Sequence, residues 1–316
     1  MISLNELAME IVDDMIDYRD ELKIKVKKLE NKATVIDCGV EVVGGYEAGI
    51  MFIQISMGGL STVDMYIESI NDVPLSFIRV HTDFPSLTCL GSQKASWKIN
   101  VGEYYAIGSG PARALALEPE EIYETLDYED DAEYAVVTLE AEQLPNEKVI
   151  EYIAKKCDVE PGRVYAVVTA TKSIVGSVQV AGRVIEVAVN KLYKLGYDIN
   201  KITAAIGSAP IAPVLGDSFK AMGAVNDSIL YYGKVFLNVE EFSKDFDKIT
   251  FSSCKEYGKT FYEILKEANF DFYKVNPDVF APAKVTINDL SKGQTYVYGV
   301  LNPEIILKSY GISKEV

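Results

Sequence analysis

Histidine is almost absent from this sequence: His81 is the only one in 316 residues. Imidazole is the usual general base of nucleophilic triads and the commonest transition-metal ligand in proteins. A triad that depends on histidine could therefore be built only around His81, and a metal site with several histidine ligands is excluded.

Cysteine is also scarce, and the four cysteines are widely separated. They are Cys38, Cys89, Cys157 and Cys254, with no Cys-x-x-Cys among them. Structural zinc sites and small disulfide frameworks both rely on closely spaced pairs. We therefore expect free thiols, as in a reducing cytosol, and no metal or disulfide framework.

Long apolar runs are missing as well. The longest stretches fall well short of the roughly 20 residues that cross a bilayer. The first 22 residues contain Glu6, Glu10, Asp13 and Asp14, which are incompatible with the apolar core of a signal peptide. The sequence therefore predicts a cytoplasmic protein without a membrane segment.

Positive charge is in short supply. The chain has 31 Lys and Arg against 47 Asp and Glu, which gives a net charge of -16. Such an acidic field repels phosphate backbones and anionic lipids, so nucleic-acid and membrane-surface functions are not expected. An anionic substrate would need a locally basic pocket.

The remaining composition, 48% hydrophobic and 25% charged, is that of a folded globular protein. Strand and helix patterns occur in both halves of the chain, which predicts an α+β (mixed α/β) fold in two lobes with mixed β-sheets and packed helices. Residues 118–133 contain nine acidic side chains and no basic one. We interpret this run as a solvated segment near a boundary, with lobes at about 1–125 and 126–316 that could be intertwined.

Several local patterns predict individual elements. Ser3 and Glu6 form a capping-box pattern at the start of a first helix. The Val- and Ile-rich stretch 33–57 predicts strands around a turn at Gly44-Gly45, and the two prolines of the 207–216 stretch predict a shaped loop. Further helices are predicted at 146–156, 217–230, 257–268 and 303–310, and further strands at 134–140, 163–171, 232–239, 283–288 and 294–300.

The most informative segment is 175–195, which predicts one long helix ending at Gly196. Its apolar residues point almost all round the helix, so the helix should be buried. Four polar residues at spacings of 4, 3 and 4 would then form a narrow polar stripe: Gln179, Arg183, Glu186 and Asn190. The stripe could hold a structural i,i+3 ion pair between Arg183 and Glu186, or it could face a water-filled pocket; periodicity alone leaves both open.

Two glycine-containing turns are weaker signals. The run Gly108-Ser-Gly-Pro-Ala-Arg113 opens a short helix and could contact phosphate or carboxylate, but it lacks both the full dinucleotide pattern and the Walker Lys-Ser/Thr. The loop around Gln93, Lys94 and Ala95, just before the single Trp97, would by itself be an ordinary exposed turn.

Together these residues resemble a known family. The runs GSGPARAL at 108–115, GSVQVAGRVIE at 176–186 and GSAPIAP at 207–213, in this order and spacing, resemble methenyltetrahydromethanopterin cyclohydrolase, and the similarity extends over essentially the whole chain. The resemblance implies an enzyme of archaeal-type one-carbon metabolism (methanogenesis) that interconverts methenyl- and N5-formyl-tetrahydromethanopterin. It also implies a homotrimer of two-lobed subunits, a pterin pocket between the lobes, and no metal or redox cofactor.

The resemblance also assigns residues to this activity. Arg183, Glu186 and the segment Gln93-Lys94-Ala95 correspond to the working residues of the family, which favours the functional interpretation of the polar stripe. Glu186 would accept the proton of the attacking water, Arg183 would orient the water or formyl oxygen, and Lys94 would bond the developing carbonyl. The substrate-binding residues expected beside them are Gln93, Ala95, Gln179 and Asn190.

Two other functions stay open at this point. One is a phosphate-dependent transferase that uses the 108–115 turn as its anion site, and the other is a non-catalytic pterin-binding protein.

Overall fold

The first helix begins where its capping residue predicts. In the computed structural model, which describes residues 2–312, α1 spans Leu4–Asp17, and the Ser3 hydroxyl accepts a hydrogen bond from the Glu6 amide at 3.2 Å. A serine at this position satisfies one of the amides that the first helical turn leaves without a partner.

The first sheet has six strands in the order β1-β2-β8-β7-β6-β5. The strands are β1 Lys25–Lys28, β2 Thr34–Asp37, β5 Trp97–Val101, β6 Tyr104–Ser109, β7 Ala135–Glu140 and β8 Val164–Thr169. Strands β2, β8 and β7 are parallel, and the other pairs are antiparallel. The helices that accompany this sheet are α1, α2 Tyr46–Ser56, α3 Ala112–Ala116, α4 Glu120–Leu126, α5 Glu147–Cys157 and α6 Ile174–Ala181.

The side chains of the parallel strands are buried on both faces of this sheet. Val35 and Val137 lie in one core with α5, whereas their neighbours Ile36 and Val136 lie in a second core with α1 and α2. Successive strand side chains point to opposite faces, so strands apolar at every position are buried on both.

The second sheet also has six strands, in the order β12-β11-β10-β9-β4-β3. They are β3 Thr62–Ile70, β4 Val73–Thr82, β9 Ile202–Pro210, β10 Lys234–Val239, β11 Lys284–Asp289 and β12 Gln294–Gly299. Strands β10 and β11 pair in parallel, whereas β9–β10, β11–β12 and β4–β9 pair antiparallel, so this sheet is mixed as well. Its helices are α7 Val184–Lys194, α8 Ser218–Tyr232, α9 Phe261–Glu267 and α10 Pro303–Ser309. These two open mixed sheets with packed helices confirm the α+β prediction.

The chain divides into two compact units, each assembled from separate stretches. The first unit contains the residues up to Thr62 together with Ser86–Gln179, and the second contains Val63–Pro85 together with the residues from Val180 onward. The acidic run 118–133 belongs to the first unit, where Asp130 accepts hydrogen bonds from the backbone and side-chain nitrogens of Asn5 at 3.0 and 2.8 Å.

Two local predictions are wrong because tertiary burial overrides local pattern. Tyr46–Ser56, predicted as strand, is helix α2, with Phe52 and Ile53 almost completely buried; an apolar run of this length fits either element until its neighbours are known. Residues 207–210, predicted as loop, end strand β9, where Gly207 pairs with Val80 and Pro210 with Phe77.

The predicted helix over 175–195 is two helices. Helix α6 ends at Ala181, α7 begins at Val184, and Gly182-Arg183 form a turn in which the Arg183 amide bonds to the Val180 carbonyl at 3.0 Å. Glycine is a poor helix former, and an i→i−3 bond of this kind is common where a helix ends. The polar stripe is therefore broken between Gln179 and Arg183.

Candidate functional site

A π-helical turn carries the first group of predicted site residues. Leu87–Gln93 is π-helical, and the Lys94 amide bonds back to the Cys89 carbonyl at 2.8 Å. Gln93 is completely buried and donates from Nε2 to the Ser56 hydroxyl at 3.3 Å, whereas Lys94 is half-buried and Ala95 is exposed. Short π-helical turns are rare and often occur at functional sites. The sequence predicted a loop here and missed the turn.

Arg113 holds this turn in place, and sequence reasoning missed that role. Its side chain is fully buried, and Nη1 donates to the carbonyls of Leu90 at 2.9 Å and Ser92 at 3.0 Å, while Nε donates to the Glu118 carbonyl at 2.8 Å. The Gly110 amide also donates to the Ser92 carbonyl at 2.9 Å. The Arg113 guanidinium and the Gly110 amide of the glycine-rich turn therefore donate to backbone carbonyls of the protein. These were the donors expected to bind an anion at 108–115, so the structure gives that anion site little support.

The loop between β8 and α6 is shaped by small residues. A side chain at Gly176 would bring its Cβ within 2.1 Å of the Ala170 carbonyl oxygen, and the Ser173 hydroxyl accepts from the Gly176 amide at 2.9 Å. Only glycine allows so close an approach of two backbone segments. Thr171 and the start of α6 are thereby fixed beside the end of β7.

Gln179 and Thr171 both bond to Glu140, the last residue of β7. Gln179 Nε2 donates to Oε2 at 2.8 Å, and the Thr171 hydroxyl donates to Oε1 at 2.5 Å. Gln179 and Thr171 are buried, and Glu140 is half-buried. Glu140 carries no helical or motif signal that could have identified it from the sequence.

Arg183, Glu186 and Asn190 lie along the first two turns of α7 in the second unit. Their exposed fractions are 8%, 6% and 7%, which agrees with the predicted burial of this segment. Arg183 is the N-cap residue, Glu186 lies in the first turn and Asn190 follows one turn later, so the three share one side of the helix.

The Glu186 carboxylate has an unusual environment. Within residues 2–312 it has no hydrogen-bond or ion-pair partner, so the proposed structural ion pair with Arg183 is not formed. A carboxylate that is nearly buried without a partner costs folding free energy. Groups kept at such a cost are candidates for function.

One further buried charge on α7 has a structural partner. Lys191, 6% exposed, donates to Oδ1 of Asp278 at 2.9 Å. This hydrogen bond and the lysine charge hold the pKa of Asp278 below its ordinary value. Lys191 is thus a tether between α7 and the 277–279 segment, and helical periodicity gave no sign of it.

The described part of the chain contains no group of three or more His, Cys, Asp or Glu side chains that could hold a metal ion. None of the four described cysteines is in a disulfide: Cys38, Cys89 and Cys157 are buried, and Cys254 is partly buried. His81 is exposed on β4. No described helix has both the length and the apolar character needed to span a bilayer.

The predicted site residues thus fall into two groups. Gln93, Lys94, Ala95 and Gln179 belong to the first unit, and Arg183, Glu186 and Asn190 belong to the second. Within the first unit Gln179 is hydrogen-bonded to Glu140, and within the second the three residues share one side of α7.

Comparison with known proteins identifies the family. The model of the cyclohydrolase (MCH) family matches residues 3–310. The methenyltetrahydromethanopterin cyclohydrolase of Methanoculleus marisnigri is 51% identical over 313 residues, covering 98% of this chain and 99% of that protein. The proteins of the same name from Methanospirillum hungatei and Methanothermobacter marburgensis are 50% and 46% identical, over 98% and 99% of this chain and 99% and 100% of their own lengths. The resemblance of the three sequence motifs is thereby confirmed, and this chain belongs to the cyclohydrolase (MCH) family.

Proposed function

We propose that this protein adds water to the methenyl bridge of methenyl-tetrahydromethanopterin and releases the N5-formyl form, and that it catalyses the reverse reaction. The similarity to cyclohydrolases over nearly the full chain supports this activity. So does its setting, since the relatives at 45–51% identity come from organisms whose names mark them as methanogens.

The observation that carries the proposal is the Glu186 carboxylate, which is 6% exposed and forms no hydrogen bond or ion pair within the described residues. The bridging carbon of the substrate is part of an amidinium-like cation and is already electrophilic. The reaction therefore needs a base that removes a proton from water as the C–O bond forms. That proton then goes to the departing nitrogen as the C–N bond breaks, and the remaining hydroxyl proton is released to solvent as the formyl C=O forms. A carboxylate with open acceptor positions can perform both transfers, and such a positioned acid–base group contributes about 10² to 10⁴ in rate.

Arg183 lies one turn before this carboxylate. Its guanidinium presents donors in a planar fork, which suits the orientation of a water or formyl oxygen. Lys94 is proposed to bond the oxygen as it becomes a carbonyl, and Gln93, Ala95, Gln179 and Asn190 are proposed to bind substrate. These roles rest on the family resemblance, and those of Gln93, Gln179 and Asn190 also on the burial of their side chains.

A direct assay tests the activity. Purified protein is mixed with methenyl-tetrahydromethanopterin, and the loss of the methenyl absorbance is followed with and without protein. We expect enzyme-dependent decay to the formyl product. Binding of the pterin without decay would instead support a non-catalytic pterin-binding protein, and phosphate-dependent group transfer would support a transferase. The engagement of Arg113 and Gly110 with backbone carbonyls argues against the transferase.

The same proposal includes the state and place of the protein. We propose a cytoplasmic homotrimer that uses no metal or redox cofactor, with tetrahydromethanopterin as the substrate carrier only. Sedimentation equilibrium should then give three times the chain mass of 34.9 kDa. A monomer at working concentration would contradict the trimer without affecting the assigned reaction.

A further inference from the structure

Three consecutive carbonyls of the π-helical turn, those of residues 90–92, accept hydrogen bonds from side chains outside the turn. Arg113 Nη1 donates to the Leu90 carbonyl at 2.9 Å and to the Ser92 carbonyl at 3.0 Å. The Tyr123 hydroxyl donates to the Gly91 carbonyl between them at 2.9 Å. Arg113 and Tyr123, which together we call the clamp, are both buried, and the guanidinium carbon lies 5.8 Å from the centre of the tyrosine ring.

These carbonyls are the ones that an α-helical continuation of the turn would need. In an α-helix each amide bonds to the carbonyl four residues back, so the amides of residues 94–96 would bond to the carbonyls of residues 90–92. Because the clamp already donates to those carbonyls, it competes with that pattern, and the Lys94 amide bonds to the Cys89 carbonyl, five residues back, at 2.8 Å. The Ser92 carbonyl also accepts from the Gly110 amide at 2.9 Å, so both its lone pairs are used. The clamp therefore favours the π register of this turn over the α register.

The register determines where the residues after the turn lie. Bonding four residues back instead of five would shorten the turn by one residue and would rotate Lys94 and Ala95 about the helix axis. Lys94 is half-buried, and its proposed role is to bond the oxygen as it becomes a carbonyl, which requires a donor held in a fixed position. We infer that Arg113 and Tyr123 are positioning residues for this reaction: they stabilise the π register of the turn and thereby fix the Lys94 side chain. This inference rests on the proposed function.

The main test is Tyr123→Phe, which keeps the ring and removes only the hydroxyl that bonds to the Gly91 carbonyl. We expect kcat to fall about 3- to 10-fold, the scale of one lost hydrogen bond. KM should change less than about twofold, because Lys94 acts on the oxygen as the reaction proceeds and not on the bound substrate. Hydrogen–deuterium exchange of residues 87–96 should become faster, since the turn opens more often when one of its carbonyls loses its donor.

Tyr128→Phe is the matched control. Tyr128 is buried in the same apolar cluster as Tyr123, but its hydroxyl donates to the Ile2 carbonyl at 3.0 Å and accepts from the Leu4 amide at 3.2 Å, both outside the turn. Both tyrosine variants should lower Tm by a similar amount, about 2–4 °C. Only Tyr123→Phe should lower kcat and speed the exchange of residues 87–96.

A double-mutant cycle tests whether the clamp acts through Lys94. Lys94→Met removes the ammonium group and keeps the length of the side chain. In that background Tyr123→Phe should lower Tm as before but change kcat less than about 1.5-fold, because the group that the clamp positions is no longer present. A purely structural role for Tyr123 predicts the same fractional loss of kcat in both backgrounds.

Arg113→Lys is the stronger perturbation. Lysine keeps the charge, but its single nitrogen cannot reproduce the fork that donates to the carbonyls of Leu90, Ser92 and Glu118. We expect kcat to fall at least as far as in Tyr123→Phe, with the same dependence on Lys94. The Tyr123→Phe cycle decides the question if Arg113→Lys does not fold.

The outcomes are distinct. An unchanged kcat in Tyr123→Phe, or equal fractional losses in the two backgrounds, overturns the positioning role of the clamp and leaves the proposed activity standing. A wild-type kcat in Lys94→Met overturns the role of Lys94 and, with it, that of the clamp. A wild-type protein that does not convert methenyl-tetrahydromethanopterin overturns the proposed function and every role in catalysis that rests on it.

Discussion

Gln179 donates a hydrogen bond of 2.8 Å to Glu140, a residue 39 positions earlier at the end of a neighbouring strand. The same Gln179 is the first member of a polar stripe that periodicity assigned to a helix shared with Arg183. The break at Gly182 separates the two, so Gln179 acts with β7 and α6 while Arg183 begins α7.

Glu186→Gln should lower kcat by about 10² or more while pterin binding is retained, because the amide cannot take a proton from water. Stability should hold or rise, since the change removes a buried charge that forms no hydrogen bond or ion pair among the described residues. Rate, product Kd and Tm are measured on one preparation.

Glu267→Gln is the control for this prediction, because Glu267 forms an exposed ion pair with Lys259. It should match wild type in all three measurements. An unchanged kcat in Glu186→Gln together with a lowered Tm would assign Glu186 to folding and remove it from the reaction.

Arg183→Lys should impair turnover strongly although the charge is kept. Lysine is a point charge and does not reproduce the planar fork that orients a water or a carbonyl oxygen. Steady-state kinetics should show at least about a 10-fold loss in kcat/KM. Arg163→Lys, at an exposed position, is the matched control and should keep wild-type kinetics. A near wild-type rate for Arg183→Lys would show that Arg183 contributes only its positive charge and does not orient the water.

Incubation with EDTA followed by desalting should leave activity intact. The chain has one histidine and four scattered cysteines. Among the described residues, no three His, Cys, Asp or Glu side chains lie close enough together to bind a metal ion. A zinc hydrolase treated in parallel checks the chelation. Activity that disappears and returns with one particular metal ion would contradict this prediction.

Gly176→Ala should destabilise the first unit. The new methyl group would lie 2.1 Å from the Ala170 carbonyl oxygen and 2.7 Å from that of Thr171, and both are backbone atoms that cannot rotate away. A loss of roughly 1–3 kcal/mol or more is expected from such overpacking, measured by urea denaturation. Gly216→Ala, where a Cβ meets nothing within 4 Å, is the control and should be close to neutral.

Asp227 should make stability depend on pH. It is fully buried on α8 and accepts from the Phe261 amide at 2.8 Å and the Ser309 hydroxyl at 2.5 Å. Burial raises its pKa to about 7, from an ordinary 3.8. The folded protein thus holds a proton that the unfolded chain releases between about pH 4 and 7, so the free energy of unfolding should fall across that window, by up to ~1.4 kcal/mol per pH unit, and level off above it.

Asp227→Asn tests this assignment. Asparagine is neutral at every pH and can still accept from Phe261 and donate to Ser309. The variant should lose the Asp227 part of the pH dependence and be more stable than wild type at pH 8. Asp247→Asn, at an exposed position, should retain the wild-type profile. Parallel pH profiles for wild type and Asp227→Asn would contradict the assignment.

The sequence by itself determined the features that depend on local chemistry. Ser3 before an amphipathic run fixed the start of α1, and the apolar character of 175–195 correctly indicated burial of Arg183 and Glu186. The order and spacing of three motifs identified the family. Each of these signals lies in residues close together in the chain, where hydrogen-bond geometry and side-chain period act directly.

Only the tertiary structure decided the rest. Tyr46–Ser56 is a helix because its apolar surface is buried with that of α1. The polar stripe is interrupted at Gly182 because a new helix, α7, begins there with Arg183 as its N-cap residue. The π-helical turn before Lys94 depends on Arg113 reaching carbonyls 21 and 23 residues away. The contacts of Glu140 are made to two partners 31 and 39 residues later. Contacts of this range have no period in the sequence, so residue types alone could not reveal them.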